Sequence, residues 1–218
     1  MKIAILATGG IESTLLMHRY KDKNPYLISI NYGQTVWEHQ KRLILHHKHI
    51  FGISSEFVEI KIEFHNWQKG QGLFEKGFVP TEKNPLKSWN EIPHSGFFIE
   101  GRTSIMLLYA MAYCSSENIK ELLTGFEYEK DEWNNLRSVK CISDDCSPHF
   151  LDTINILALS GFSNVVRVRA PFFEERKDKK ATMKECLDRG IDLDMTYSCY
   201  FWPGPCGKCE NCLLRAGK

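Results

Sequence analysis

The sequence predicts an α/β fold: a parallel five-stranded sheet flanked by helices, with a zinc-binding knuckle at the C-terminus. Three observations lead there. Short apolar runs alternate with amphipathic stretches in the rhythm of βαβ units. The chain has 218 residues, enough to bury a single core without crosslinks. Four of its 8 cysteines crowd between Cys199 and Cys212, which in a cytosolic protein points to a metal rather than to disulfides.

The elements follow in chain order. Lys2 to Ala7 reads as a buried strand that runs into Thr8-Gly9-Gly10 and a helix from Ser13 to Tyr20, with Leu15, Leu16 and Tyr20 at helical spacing. After the breaker Asn24-Pro25, Tyr26 to Ile30 is the second strand. Glu38 to Phe51 is a polar, His-rich helix closed by Gly52, and Phe57 to Ile62 alternates as a third strand. Phe64 to Ser95 has no period and holds glycines, prolines and aromatics, the composition of a lid or binding loop. Thr103 to Cys114 is a helix, Leu122 to Thr124 a short strand, and Glu127 to Asp145 a second irregular loop. Pro148 opens a helix to about Leu159. Val165 to Ala170 is the fifth strand, and Lys179 to Arg189 a basic helix stopped by Gly190. Parallel strands joined by helices place ligands at the strands' carboxyl ends, so the site is expected after strands one, two and four. Residues 1–198 are read as one domain, with 199–218 as a cysteine segment packed on it.

Composition removes several classes of function. Hydrophobic residues at 43% and charged residues at 25% are ordinary for a globular chain. A formal charge of +1 supplies no global field toward nucleic acid or an anionic membrane. The longest apolar run, Ile105 to Cys114, is half the roughly 20 residues of a membrane span. The opening stretch lacks a signal-peptide pattern, so a cytoplasmic location is expected.

Two motifs carry chemistry. Ala7-Thr8-Gly9-Gly10-Ile11-Glu12-Ser13-Thr14 sets a glycine pair and two hydroxyls between a strand and a helix. Its backbone N–H groups can cradle phosphate; a tight connection with no ligand has the same local pattern. No Walker loop or dinucleotide fingerprint is present. At the other end, Cys199, Cys206, Cys209 and Cys212 have the spacing of a closed tetrahedral Zn2+ site, a spacing shared with iron-sulfur ligation. Gly204 and Gly207 supply the turns.

Taken together, these motifs resemble the 7-cyano-7-deazaguanine synthase (QueC) family of PP-loop ATP pyrophosphatases, whose fold is adenine nucleotide alpha hydrolase-like. The family's Ser-Gly-Gly-x-Asp-Ser-Thr stands here as Thr8 to Thr14, its Asp-Tyr-Gly-Gln as Asn31-Tyr32-Gly33-Gln34, and its Pro-Gly-Arg-Asn as Glu100-Gly101-Arg102-Thr103. Its Asp-Cys-Arg-Pro-Glu-Phe resembles Asp145 to Phe150, its Thr-Lys-Ala resembles Lys179-Lys180-Ala181, and its cysteine-rich ending is matched from Ser198 to Arg215.

The resemblance implies a ligase that uses ATP, Mg2+ and Zn2+ to convert 7-carboxy-7-deazaguanine and ammonia, through an acyl adenylate and an amide, to the nitrile. It also implies a homodimer. By the same carry-over, Ala7, Thr8, Gly9, Gly10, Ser13, Thr14, Tyr32, Gly33, Gln34, Gly101 and Arg102 bind the nucleotide. Glu12, Ser13, Arg102 and Lys180 are catalytic candidates. Glu127, Tyr128 and Asp145 are substrate candidates, with Glu127 suited to adjacent N–H donors of a guanine-like edge. Glu12, Asn31 and Thr103 depart from the family pattern. An enzyme that stops at the amide, or joins the activated base to another amine or protein, therefore stays open, as do a tRNA-thiolating PP-loop enzyme and a non-catalytic nucleotide-binding module. His46, His47 and His49 read as solvated. Trp67, Trp89, Trp133 and Asp131 sit in the long loops, where they either stack on and read a base or pack the loops down.

Overall fold

A computed structural model describes residues 1–64, 99, 101–128, 147–199, 204–207 and 209–216. Trp67, Trp89, Asp131, Trp133 and Asp145, and most of the two irregular loops, lie outside these residues.

Five parallel strands, β1 (Ile3–Leu6), β2 (Tyr26–Asn31), β3 (Phe57–Lys61), β4 (Glu121–Leu123) and β5 (Arg167–Arg169), lie in the order β3-β2-β1-β4-β5. The helices are α1 (Ile11–Tyr20), α2 (Trp37–Ile50), α3 (Arg102–Ser116), α4 (Pro148–Gly161), α5 (Pro171–Glu174), α6 (Lys179–Asp188) and α7 (Glu210–Arg215). Alternation along β1 explains both layers. Ile3, Ile5 and Ala7 enter one core with Ile11, Leu15 and Leu16 of α1 and Cys186 of α6. Ala4 and Leu6 enter the other with Leu107 and Met111 of α3 and Ile154 and Ala158 of α4. A strand covered on both faces reads as an unbroken apolar run, and each fully buried Ile or Leu contributes about 1.5–3 kcal/mol.

Strand order reverses around β1: the chain moves outward through β2 and β3, then returns to the opposite side of β1 with β4. Connections on either side of such a point diverge and leave a crevice at the strands' carboxyl ends.

The strands and main helices fall where the sequence placed them, with shifts at their ends. Helix α1 starts at Ile11, since Gly10 is still extended and acts as its N-cap. Ser147 caps α4 by accepting from the Phe150 N–H, with Pro148 in the first turn. Strand β5 is shorter than expected because Pro171 opens α5 two residues after it. Four short elements escaped the reading, α5, α7 and the 3-10 turns at Lys21–Lys23 and Leu193–Met195; none is long enough to show a period. His47 is a correction. It is buried, 1% exposed, while His46 and His49 are exposed. Leu43, Ile44 and His47 share the inward face at three- and four-residue spacing.

Candidate active site

The turn after β1 is built around one hydroxyl. Ser13 Oγ accepts from the Thr8 N–H (3.2 Å) and the Thr8 hydroxyl (3.2 Å), and donates to the Gly10 carbonyl (3.1 Å). Gly9 has φ of +73°, and a Cβ there would stand 3.0 Å from the Gln40 carbonyl oxygen, so both conformation and space require glycine. The Tyr197 N–H donates to the Gly9 carbonyl at 2.9 Å. The turn is thereby held from the C-terminal side of the chain as well as from within.

After β2, Gln34 brackets its own turn. Its Oε1 accepts from the Tyr32 N–H (2.8 Å), while its Nε2 donates to the Ile30 carbonyl and to Gln40 Oε1. Asn31 Oδ1 accepts from the Gly33 N–H, and Asn31 Nδ2 donates to Glu59 Oε1 at 2.9 Å. Burial, the largest single influence on Glu59, favours its protonated form. The hydrogen bonds from Asn31 and Lys41 outweigh it and hold the carboxyl below its ordinary range. The departure at Asn31 thus has a local cause: an aspartate there would face the Glu59 carboxylate.

Cations converge from two helices. Arg102, at the start of α3, holds its guanidinium over the Tyr32 ring, 5.8 Å from the centroid. Lys179, the first residue of α6, pairs with Glu12 and lies 3.7 Å from Glu127 Oε2. Gly125, after β4, packs flat against Glu12: a Cβ there would be 2.6 Å from the Glu12 Cβ. Close backbone approach therefore fixes where the carboxylate emerges.

At the C-terminus the four cysteine sulfurs lie within 4.8 Å of one another. The Cys206–Cys212 and Cys199–Cys209 separations are 3.9 and 4.0 Å. A tetrahedron with Zn–S bonds of about 2.3 Å has edges of about 3.8 Å, whereas a disulfide needs about 2.05 Å. The Cys206 and Cys209 N–H groups point at the Cys199 and Cys206 sulfurs, and Gly204 and Gly207 turn the chain at positive φ. These residues fit Zn2+. Arg215 ties α7 to the strap before the cysteines, donating to the carbonyls of Thr196 and Leu193.

Each of these parts sends residues to one cleft of about 440 Å3 at the carboxyl ends of the strands. Thr8, Gly10 and Glu12 come from the first turn, Tyr32 and Gln34 from the second, and Arg102 and Lys179 from α3 and α6; Ser198, Cys199 and Asn211 form the knuckle side.

The profile of the family described as "Queuosine biosynthesis protein QueC" matches residues 2–217. The chain belongs to the QueC family. Among relatives named 7-cyano-7-deazaguanine synthase, the protein from Carboxydothermus hydrogenoformans is 27% identical, across 97% of this chain and 95% of its own. That from Psychromonas ingrahamii is 22% identical, across 98% and 90%. That from Methanocaldococcus jannaschii is 22% identical, across 99% and 93%.

In this QueC-family cleft, the predicted residues that form the lining are Ala7, Thr8, Gly10, Glu12, Tyr32, Gln34, Arg102 and Glu127, together with the ligand Cys199. Gly9, Ser13, Thr14, Gly33, Gly101 and Tyr128 are not among the lining residues; Gly9, Ser13 and Thr14 are buried, Gly33 and Gly101 exposed. Tyr128 serves through its backbone, donating to the Lys177 carbonyl at 2.9 Å. One assignment needs correction. The cation that α6 sends into the cleft is Lys179; Lys180 is exposed and absent from the lining. Asp178 caps the helix by accepting from the Ala181 N–H, which fixes Lys179 as the first helical residue, and the next residue points about 100° away. The sequence reading also missed Gly125, Ser198 and Asn211. The glycine after β4 was a legible signal for close approach; the other two had none.

Proposed function

We propose that the cleft adenylates the carboxylate of 7-carboxy-7-deazaguanine and transfers the acyl group to ammonia, releasing AMP and pyrophosphate. The single observation that carries this reading is the meeting of a glycine phosphate turn with Lys179 and Arg102 in one cleft, in a chain whose relatives bear the synthase name. A carboxylate oxygen attacks the α-phosphorus and pyrophosphate leaves. Ammonia then attacks the acyl carbon and AMP leaves, giving the amide. In a second round the amide oxygen attacks the α-phosphorus of another ATP and a second pyrophosphate leaves; elimination of AMP with loss of the two nitrogen protons then gives the nitrile.

Catalysis of this kind rests on placement and on charge stabilisation. The glycine turn, with the first turn of α1, receives the departing pyrophosphate, and Ser13 keeps that turn in shape. Arg102 suits bidentate contact with phosphate or carboxylate. Lys179 is the point charge. Glu12 and Glu127 flank Lys179, so the corner holds two carboxylates against one ammonium. Such oxygen donors fit Mg2+, and Glu12 and Glu127 would hold it; the ion supplies neutralisation of phosphate charge. Ammonia as nitrogen donor and the homodimer rest on the family resemblance; the cytoplasmic setting and the packing of 199–218 on the body 1–198 rest on the sequence pattern. Among the described residues no helix is long and apolar enough to cross a membrane.

A thiolation reaction is less well served. Among the described cysteines outside the knuckle, Cys114 and Cys186 are buried, and burial pushes each thiol up to about 12, far from nucleophilic. The test is product analysis after incubation with ATP, Mg2+, 7-carboxy-7-deazaguanine and ammonium. Nitrile with AMP and pyrophosphate is expected. Amide alone would shorten the reaction to its first half, and absence of acid-dependent AMP would remove the proposal.

A further inference from the structure

The knuckle does more than close the chain end, because it forms one wall of the cleft. Two polar side chains on that wall are unspent. The Ser198 hydroxyl is buried from solvent and makes no hydrogen bond. The carboxamide of Asn211, also on the lining, makes none to any described residue. By contrast, the Gln34 amide across the cleft is consumed by Tyr32, Ile30 and Gln40, while the carboxylate of Glu127, another lining group, is charged and faces Lys179. A buried polar atom left unpaired, as Ser198 Oγ is, calls for an explanation, and a site built to hydrogen-bond a ligand has such atoms when the ligand is away; Asn211 beside it is half-buried and faces the same cleft.

Both groups are neutral, which suits the edge of a heterocycle rather than a phosphate, and a carboxamide both donates and accepts, as a lactam edge requires. Tyr197 and Leu214 on the same wall, with Met106 and Phe126, add flat apolar surface for the ring. Each unspent group is fixed by metal ligands: Ser198 precedes Cys199, and Asn211 lies between Cys209 and Cys212. We propose that Ser198 and Asn211 read the polar edge of the acid substrate's base, with the metal knuckle holding them in register. This inference rests on the function proposed above.

The test is calorimetric titration of zinc-loaded protein with 7-carboxy-7-deazaguanine and, separately, with ATP, for the wild type, Ser198→Ala and Asn211→Ala. Zinc content and melting temperature serve as fold controls. Asn211→Asp keeps the side-chain shape and replaces an alanine variant that loses zinc. Each substitution is expected to raise the Kd for the acid about tenfold, the scale of one lost hydrogen bond, and to leave that for ATP within about twofold. Unchanged affinity for the acid, or a matching loss for ATP, would overturn the inference while the proposed function stands. A wild type that binds ATP but not the acid would overturn both.

Discussion

Lys179 and Lys180 are adjacent lysines with opposite fates, and one helical step separates a cleft charge from a solvated one. Lys179→Met is expected to lower kcat/KM at least 100-fold, whereas Lys180→Met should stay within about twofold; steady-state AMP release measures both. Equal losses in the two variants would contradict the placement of Lys179. Asn31 gives a second case. It donates to Glu59, so Asn31→Asp would set two carboxylates against each other. A stability loss of about 1–3 kcal/mol is expected by urea denaturation at pH 7, recovered by adding Glu59→Gln. No loss would mean that the departure at Asn31 has some other origin. Neither pair was legible in the sequence beforehand. Adjacent lysines cannot be assigned to faces until the cap at Asp178 fixes the helix start, and Asn31 meets Glu59 only through the pairing of β2 with β3.

The knuckle and its strap connect the cysteine cluster to the glycine turn. From Cys199 the chain runs back through Tyr197, whose N–H holds the Gly9 carbonyl, and Arg215 clamps α7 onto Thr196 and Leu193. Loss of metal is therefore expected to loosen the glycine turn as well as the C-terminus. Cys206→Ser, or removal of zinc by a chelator, should lower the melting temperature by several degrees, as expected for a loss of about 1–2 kcal/mol, and weaken ATP binding. Stability lost without any change in ATP affinity would show that the strap transmits nothing. The cysteine spacing made the gathering of four sulfurs plain, because the geometry of such a cluster is local. That the knuckle also walls the cleft was hidden, since it depends on where the chain end returns relative to the sheet. Likewise α1, α2 and the strands followed from periodicity, while α7 and the 3-10 turn at Leu193–Met195 were set by contacts with distant segments.

The molecule as a whole is fastened on the side away from the cleft by a charged cluster. Arg19 of α1 pairs with Glu175 and Glu185, and Lys177 joins both carboxylates. The hydrogen bond from Arg19 leads the influences that lower the Glu185 carboxyl to about 2 from 4.5. Its contribution to stability is thus present above pH 4.5 and is lost as pH falls toward 2. Burial lowers the His47 imidazole from 6.5, so the unfolded chain takes up a proton first and stability declines below pH 6.5. Urea denaturation from pH 8 to 2.5 should show a decline that starts near pH 6.5 and steepens below 4.5. His47→Gln should flatten the upper part and Glu185→Gln the lower; a profile level from pH 6.5 to 4.5 would contradict the first assignment, and one that does not steepen below 4.5 the second. The reversal of strand order around β1, readable only once the sheet is assembled, is what brings the glycine turn, Glu127 and the knuckle to a common crevice. Adenylation in that crevice is tested most directly by supplying 7-carboxy-7-deazaguanine labelled with oxygen-18 in its carboxylate and examining the released AMP by mass spectrometry. Transfer of one labelled oxygen to the AMP phosphate is expected. Unlabelled AMP, or ADP with label in inorganic phosphate, would contradict attack at the α-phosphorus.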